Sequence, residues 1–199
     1  MIGILLAAGF SRRFGASNKL LEVLPNGDTV ALASAKNLIG AIPFSIAVVR
    51  PENKALADLL QEAGLKVFFC SEQDTEMADS LSAAIRFSAA FTESSDGFII
   101  ALADMPYIDS QTTAAIATKL NEGTSIVVPT YQGKRGHPVG FSGKFRDELA
   151  SRQGDEGARS ILKRYPEEVI FLECNDSGIL ADIDTPADLD QQLALRVKR

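Results

Sequence analysis

The chain has 199 residues, 46% of them hydrophobic and 23% charged, which is typical of one globular domain that folds without disulfides or a structural metal. Its 20 basic and 26 acidic residues give a net charge of −6, which argues against a nucleic-acid-binding protein. No basic signal-peptide region opens the sequence, and no apolar run is long enough to span a bilayer. We therefore expect a cytoplasmic monomer with one domain over residues 1–199, no membrane contact and two buried free cysteines.

Short apolar runs alternate with amphipathic stretches along nearly the whole chain. Most of the runs are continuously apolar, as in strands that are covered on both faces. We predict strands at residues 2–8, 44–50, 66–71, 97–103, 125–130, 137–142 and 169–174. Helices are predicted at residues 29–39, 52–63, 78–91, 110–121 and 156–165, with a last helix that starts near Pro186.

This order of elements predicts an α/β fold with a mostly parallel sheet between two layers of helices. Glycines flank the run 137–142, which is a candidate for an antiparallel strand in a lobe that covers the site. In such sheets ligands bind beyond the carboxyl ends of the strands. The residues that follow each apolar run are therefore the candidates for a functional site.

The segment after the first run, residues 6–19, combines small residues with two glycines, two arginines and a lysine. Small residues let backbone N–H groups approach phosphate oxygens, and the cations offset phosphate charge. The spacing is neither that of a Walker A loop nor G-x-G-x-x-G. The alternative is a tight strand-to-helix turn with exposed basic residues. Ser11, Arg13 and Lys19 in one loop favour phosphate binding.

Two acidic segments carry candidate metal ligands. Asp104 ends the apolar run 97–103, where a carboxylate can hold Mg²⁺ against phosphate oxygens. The alternative is a turn-initiating Asp before Met-Pro. Asp182 and Asp184 are two residues apart, so in an extended segment both face one cation. The alternative is that both are acids beside a helix N-terminus, because a Thr-Pro pair follows them.

Six motifs, in order along the chain, resemble those of the MobA-like nucleotidyltransferases, a family that includes the molybdenum-cofactor transferases. They are LAAGFSRRFG at 6–15, MADSL at 77–81, ADMP at 103–106, RGHPVGF at 135–141, GDEGAR at 154–159 and DIDTPADL at 182–189. Two departures are visible: Phe14 stands where the family often has Met, and three residues rather than two precede Lys19. The resemblance implies a Rossmann-like three-layer α/β/α sandwich of the nucleotide-diphospho-sugar transferase type, with a mixed sheet.

The resemblance also implies a role for each matched residue. The residues that line the nucleotide would be Leu6, Ala7, Ala8, Gly9, Ser11 and Ser80. Arg13 and Lys19 would bind the triphosphate and act in catalysis together with Asp104. Asp104 and Asp184 would hold the metal, and the acceptor-binding residues would be Arg135, His137 and Asp182. The alternatives are a structural or solvent-facing role for His137 and a simple helix start around Ser80.

The implied activity is Mg²⁺-dependent transfer of CMP from CTP to molybdopterin with release of pyrophosphate, and a molybdenum hydroxylase is the implied transient partner. Ala7-Ala8 stands where guanylyl relatives tend to carry Ala-Gly, and the extra methyl group favours cytosine over a purine. The alternatives are a GTP-dependent guanylyltransferase, another phosphate-acceptor nucleotidyltransferase, and a non-catalytic nucleotide-binding factor for hydroxylase maturation. Two carboxylates with metal-site spacing argue against the last of these.

Overall fold

The computed structural model describes residues 1–9, 18–71, 74, 76–151, 158–185 and 187–188. The strands of this part are β1 (Ile2–Leu6), β2 (Ser45–Val49), β3 (Lys66–Phe69), β4 (Gly97–Leu102), β5 (Ile126–Tyr131), β6 (Lys134–Arg135), β7 (Val139–Ser142) and β8 (Val169–Glu173). Its helices are α1 (Val30–Ala41), α2 (Lys54–Glu62), α3 (Met77–Ser88), α4 (Ser110–Asn121), α5 (Arg146–Ala150) and α6 (Arg159–Arg164). Short 3-10 turns lie at Lys19–Leu21, Thr92–Ser95, Gly143–Phe145, Pro166–Glu168 and Ser177–Leu180.

The strands form one mixed, mostly parallel sheet. Its order is β3-β2-β1-β4-β7-β5, with β6 and β8 both paired to β5. Strands β1 to β4 are mutually parallel where they pair, and β8 is parallel to β5. Strand β7 is antiparallel to both β4 and β5, as the sequence predicted for residues 137–142. The predicted α/β sandwich is confirmed.

Apolar side chains pack on both faces of the sheet. On β1, Ile4 belongs to one core cluster and Leu5 to the other, and both are fully buried. Helices α1, α2 and α4 cover the first face, while α3, α5 and α6 cover the second. Burial on both faces explains why the strand sequences are continuously apolar instead of alternating.

The carboxyl ends of β1 to β5 and of β8 lie along one side of the sheet, called here the carboxyl edge. Because β7 runs the opposite way, it begins at this edge. The backbone pairing extends past β1 and β4, since Ala7 N donates to Val48 O and Ala103 N donates to Leu6 O. The segments that follow the strands are therefore held firmly where they enter this edge.

Two short elements are absent from the sequence prediction. Helix α5 has five residues and buries only Leu149, so it shows no apolar period. Strand β6 is a two-residue, exposed pair that a tight turn at Gln132 and Gly133, both with positive φ, folds back onto β5. Neither has the apolar pattern on which sequence prediction depends.

Three further sequence predictions can be compared with the described residues. Helix α6 begins at Arg159, and residues 152–157, which hold most of the predicted start, lie outside the described part. Cys70 is a buried free thiol as expected, whereas Cys174 is free but only half-buried, because the exposed edge strand β8 precedes it. No helix in the described ranges is long and apolar enough to cross a bilayer.

Candidate active site

Lys19 is the centre of a three-residue charge cluster at the carboxyl edge. Its Nζ donates to Asp104 Oδ2 at 2.7 Å and to Asp184 Oδ1 at 2.9 Å. A short 3-10 turn that Asn18 caps sets the direction of Lys19, with Asn18 Oδ1 accepting from Leu20 N at 3.1 Å. The fold thus brings one cation and two carboxylates together from three distant parts of the chain.

Backbone hydrogen bonds place the two carboxylates. Asp104 lies two residues beyond the end of β4, and its carbonyl accepts a hydrogen bond from Ile183 N at 2.9 Å. Ile183 is fully buried in the core. The DIDT segment is therefore fastened beside the end of β4, and this contact brings Asp184 to Asp104.

Asp188 orients Asp184 from the other side. Its Oδ2 accepts hydrogen bonds from Asp184 N at 3.0 Å, Thr185 N at 2.6 Å and Thr185 Oγ1 at 2.9 Å. The hydrogen bond from the Thr185 hydroxyl, followed by those from the two backbone N–H groups, lowers the pKa of Asp188. This is the acidic half of a helix capping box.

The electrostatics of the cluster keep Lys19 charged. Its side chain is only 11% exposed, and burial, the largest single influence on its pKa, favours the neutral amine. The hydrogen bonds and negative charges of Asp104 and Asp184 together outweigh burial, so the pKa of Lys19 is raised. An ammonium group held by two carboxylates is a stable arrangement in this partly buried site.

The donors present suit a divalent cation that is shared with phosphate. Asp104 Oδ1 is buried and has no hydrogen-bond partner among the described residues, although buried carboxylate oxygens are normally satisfied. Together with Asp184 it offers the hard oxygen ligands that Mg²⁺ and Mn²⁺ prefer. Within the described ranges no group of three or more His, Cys, Asp or Glu side chains could hold a metal. The residues fit a site in which two carboxylates bind the ion and the substrate supplies further oxygens.

Asp182, the other carboxylate of the DIDT segment, is not among the hydrogen-bond partners of Lys19 in the described part of the chain. Its side chain is exposed. The assignment of Asp182 to acceptor binding stays a prediction.

The first residues of the basic loop lie beside the cluster. Ala7 and Ala8 are buried, Leu6 is half-buried and Gly9 is exposed. Ser11, predicted to line the nucleotide, and Arg13, predicted to bind the triphosphate, fall outside the described residues. The described residues 6–9 thus lie at the carboxyl edge, and the ligand contacts of the loop stay predictions.

Ser80, one of the predicted nucleotide-binding residues, lies in the first turn of α3. Glu76 and Asp79 form a capping box at the start of this helix, so the predicted helix start is present. The Ser80 hydroxyl is buried against Cys70 at the end of β3. Ser80 thus stands at the carboxyl edge with a structural contact, and a nucleotide contact stays a prediction.

Arg50 is a residue at this edge that the motif search missed. Its side chain is 5% exposed, and its Nε donates to the Ala8 carbonyl at 2.8 Å. Nη2 donates to the Asp74 carbonyl at 3.1 Å. The sequence signal was a charged residue at the end of a continuously apolar strand, which is unusual unless the charge is hydrogen-bonded.

His137 belongs to the segment that was predicted to bind the acceptor. Its backbone N donates to the Ile179 carbonyl at 3.1 Å. Gly136 packs so closely against Ile179 that a Cβ there would lie 2.3 Å from the same carbonyl oxygen. The RGHP segment is therefore fixed against residues 177–180.

The imidazole of His137 is neutral near pH 7. Burial lowers its pKa most, and the charge of Arg159 lowers it further, although Asp104 acts in the opposite direction. Its Nδ1 is buried with no hydrogen-bond partner in the described part of the chain. The predicted contact of His137 with the acceptor stays a prediction.

Arg135, the other predicted acceptor residue, is exposed on β6. Its guanidinium carbon lies 4.5 Å from the ring centroid of Phe171 on β8, a cation–π contact. It pairs with Thr130 at the end of β5, on the same edge as the charge cluster. Its contact with an acceptor stays a prediction.

A mostly parallel sheet with this cluster at its carboxyl edge defines a Rossmann-like α/β protein of the nucleotidyltransferase type. The model of the MobA-like NTP transferase domain matches residues 3–169, and the chain belongs to this family. The Bacillus subtilis purine catabolism protein PucB is 31% identical over 199 residues, covering 96% of this chain and 94% of the relative. Nicotine blue oxidoreductase of Paenarthrobacter nicotinovorans is 26% identical over 92% of this chain and 91% of its own length.

Solved structures agree with this assignment. Rv0371c from Mycobacterium tuberculosis superposes with a TM-score of 0.79 at 26% identity, covering 97% of this chain and 96% of that protein. The same protein has been solved in complex with manganese, with a TM-score of 0.76, 25% identity and 97% coverage of both chains. A member of this fold therefore binds a divalent metal ion.

Proposed function

We propose that this protein transfers CMP from CTP to molybdopterin and releases pyrophosphate, with Mg²⁺ as its metal ion. The observation that carries the proposal is the Lys19 ammonium held between Asp104 and Asp184, at the edge of the sheet that the basic loop enters. Membership of an NTP transferase family supports the reaction class. The sequence motifs support the choice of nucleotide and acceptor.

The reaction is an in-line displacement at the α-phosphorus of the nucleotide. An oxygen of the acceptor phosphate forms a new bond to the α-phosphorus. The bond from that phosphorus to the bridging oxygen breaks, and pyrophosphate leaves with the electron pair. Because a phosphate monoester is largely ionised near pH 7, the attacking oxygen needs no strong general base. Consistently, we assign no catalytic base to the neutral His137.

The chain's own residues position the substrates and balance charge, which is most of what phosphoryl-group transfer requires. Lys19 would stabilise the triphosphate and the leaving pyrophosphate, and Arg13 is proposed to assist it. Asp104 and Asp184 would hold Mg²⁺, which when bound neutralises charge on the reacting phosphates. Asp104 Oδ1, buried and unpartnered among the described residues, is the oxygen available for it.

The choice of CTP rests on the small-residue loop. Ala8 is buried beside exposed Gly9, and its methyl group reduces the room for a base relative to the glycine of guanylyl relatives. Arg135 and His137 are the proposed contacts to the acceptor phosphate, the second through a hydrogen bond. The two relatives are named for purine catabolism and for an oxidoreductase, so their names do not by themselves identify the nucleotide or the acceptor. A molybdenum hydroxylase is the proposed recipient of the product.

The first experiment is a thermal-shift titration with CTP, GTP, ATP and UTP, each with and without Mg²⁺. A ligand that binds only the folded state raises Tm by mass action. We expect a Mg²⁺-dependent shift with CTP, followed by pyrophosphate release when molybdopterin is added. A preference for GTP would move the assignment to guanylyl transfer. Nucleotide binding without pyrophosphate release under any acceptor condition would instead support a non-catalytic accessory factor.

A further inference from the structure

Arg50 joins the segments that follow three neighbouring strands. It directly follows β2, and it donates to carbonyls of Ala8 after β1 and of Asp74 after β3. The Asp74 carboxylate in turn accepts a hydrogen bond from Ser71 N at 2.7 Å, which closes the turn beyond β3. One buried side chain thereby sets how these three segments lie relative to one another.

An arginine is well suited to this task. Its guanidinium is planar and presents several donors in fixed directions, so it can hold two carbonyls at a defined separation. A lysine carries the same charge as a single point on a flexible stem. Burying the charge of Arg50 is costly unless it is hydrogen-bonded. Its two carbonyl contacts therefore indicate a strongly determined geometry.

The contact with Ala8 also fixes the direction of the next backbone donor. In a planar trans peptide the C=O and the following N–H point in opposite directions. Because the Ala8 carbonyl is directed at Arg50, the Gly9 N–H points away from Arg50. Gly9 is exposed, and a Cβ built on it would meet nothing within 4 Å. No described backbone group accepts from this N–H, so it is available to a ligand.

We propose that Arg50 is a positioning residue for the nucleotide: it holds the Ala8–Gly9 peptide so that the Gly9 N–H donates to a phosphate oxygen of the NTP. Backbone N–H groups in small-residue loops are common phosphate ligands. Arg50 itself does not contact the nucleotide. This inference rests on the proposed nucleotidyltransferase function and adds the group that prepares its binding loop.

The variant that tests the inference is Arg50→Lys, which keeps the charge but cannot hold both carbonyls with one planar group. We expect the KM for CTP to rise about tenfold, the usual effect of losing one hydrogen bond to a charged group, with kcat within about twofold. Lys54→Gln is the matched control, because it removes a positive charge from the exposed start of α2. The inference would be overturned if Arg50→Lys left the KM for CTP unchanged. It would also be overturned if the variant lowered kcat about tenfold without changing that KM.

A second measurement uses the unmodified protein and so does not depend on the variant folding. The Gly9 amide is followed by hydrogen exchange or by its ¹⁵N–¹H NMR signal during titration with CTP. We expect this amide to shift and to become protected, while the amide of exposed Ala55 on α2 does not change. CTP binding without any effect at Gly9 overturns the positioning role alone. Absence of binding by all four nucleotides overturns the proposed function and the inference together.

Discussion

The two sides of the candidate site are built differently. On the proposed nucleotide side, Lys19 lies within 2.9 Å of oxygens of both Asp104 and Asp184, and the backbone of each carboxylate is held by further hydrogen bonds. On the proposed acceptor side, Arg135 is exposed over Phe171, and burial lowers the pKa of His137. The charges proposed to act on the reacting phosphates are thus arranged by the fold, whereas the proposed acceptor side has no comparable cluster among the described residues.

This difference indicates how the two sides contribute to function. Charged groups held in place before the substrate binds stabilise a transition state without reorganisation. Exposed or neutral groups contribute mainly to binding and specificity. We therefore expect substitutions at the charge cluster to reduce turnover strongly, and substitutions on the acceptor side to change mainly the KM for the acceptor.

The largest expected effect is that of Asp104→Ala. It removes a proposed metal ligand and one of the two partners of Lys19, so we expect kcat to fall at least about a thousandfold. The measurement is pyrophosphate release at saturating CTP and Mg²⁺, with thermal unfolding to show that the fold is retained. Asp58→Ala, the same change on the exposed surface of α2, should have normal activity. Near-normal turnover in Asp104→Ala would exclude its metal role.

Lys19→Gln tests whether the ammonium and a metal ion share the same carboxylates. We expect turnover to fall about a hundredfold because the triphosphate loses a cation. Without the ammonium, the repulsion between Asp104 and Asp184 is relieved best by a bound cation, so Mn²⁺ should bind the nucleotide-free variant more tightly. Isothermal titration with Mn²⁺ provides the measurement.

The control for this prediction is Lys36→Gln, which removes a lysine that pairs with Asp28 on the surface. It should change neither turnover nor Mn²⁺ affinity. A Lys19→Gln variant with weaker Mn²⁺ binding than the unmodified protein would show that the lysine supports the metal site instead of competing with it.

The charge cluster also shows what sequence reasoning could provide. Asp104 and Asp184 could be predicted as site candidates because each lies beside an element whose pattern is strong. Asp104 comes after the buried strand β4, and Asp184 comes just before the Thr-Pro helix start. Lys19 was predicted as a site residue despite the extra residue before it, and it lies in the charge cluster. Asp182 is exposed, and its assignment to acceptor binding stays a prediction.

Arg50 shows the opposite limit. Its role depends on carbonyls of Ala8 and Asp74, and a backbone carbonyl has no sequence signature. The same holds for β6, which exists because a turn brings two polar residues against β5. Side-chain identity at strand ends can be found from sequence, whereas side-chain contacts with backbone require the folded chain.

On the acceptor side we expect a smaller effect from His137→Gln. A glutamine keeps a hydrogen-bonding group but changes its position, so the acceptor KM should rise roughly three- to tenfold with the CTP KM unchanged. Because the pKa of His137 is lowered, the ring lacks its second proton, and therefore its positive charge, near neutral pH. The rate of the unmodified enzyme between about pH 6.5 and 8 should therefore depend on pH in the same way as the rate of the variant. A pH dependence that is present in the unmodified enzyme and absent from His137→Gln would assign His137 a charged role.

The smallest expected effect is that of Asp188→Asn, which weakens the restraint on Asp184 without removing a charge from the cluster. Turnover should fall about two- to threefold, a modest loss for a group that acts only through its neighbour.

The folded pKa of Asp188 lies below its usual value of 3.8, so its contribution to stability is present above that value and is lost as the pH falls through the lowered pKa. The variant should therefore unfold at a lower temperature than the unmodified protein at pH 7, and the two should converge in stronger acid. The control variant Asp58→Asn should show no such pH-dependent difference in Tm. If the Tm of Asp188→Asn differed from that of the unmodified protein equally at pH 7 and in acid, the carboxylate charge of Asp188 would not be what holds the turn at Asp184.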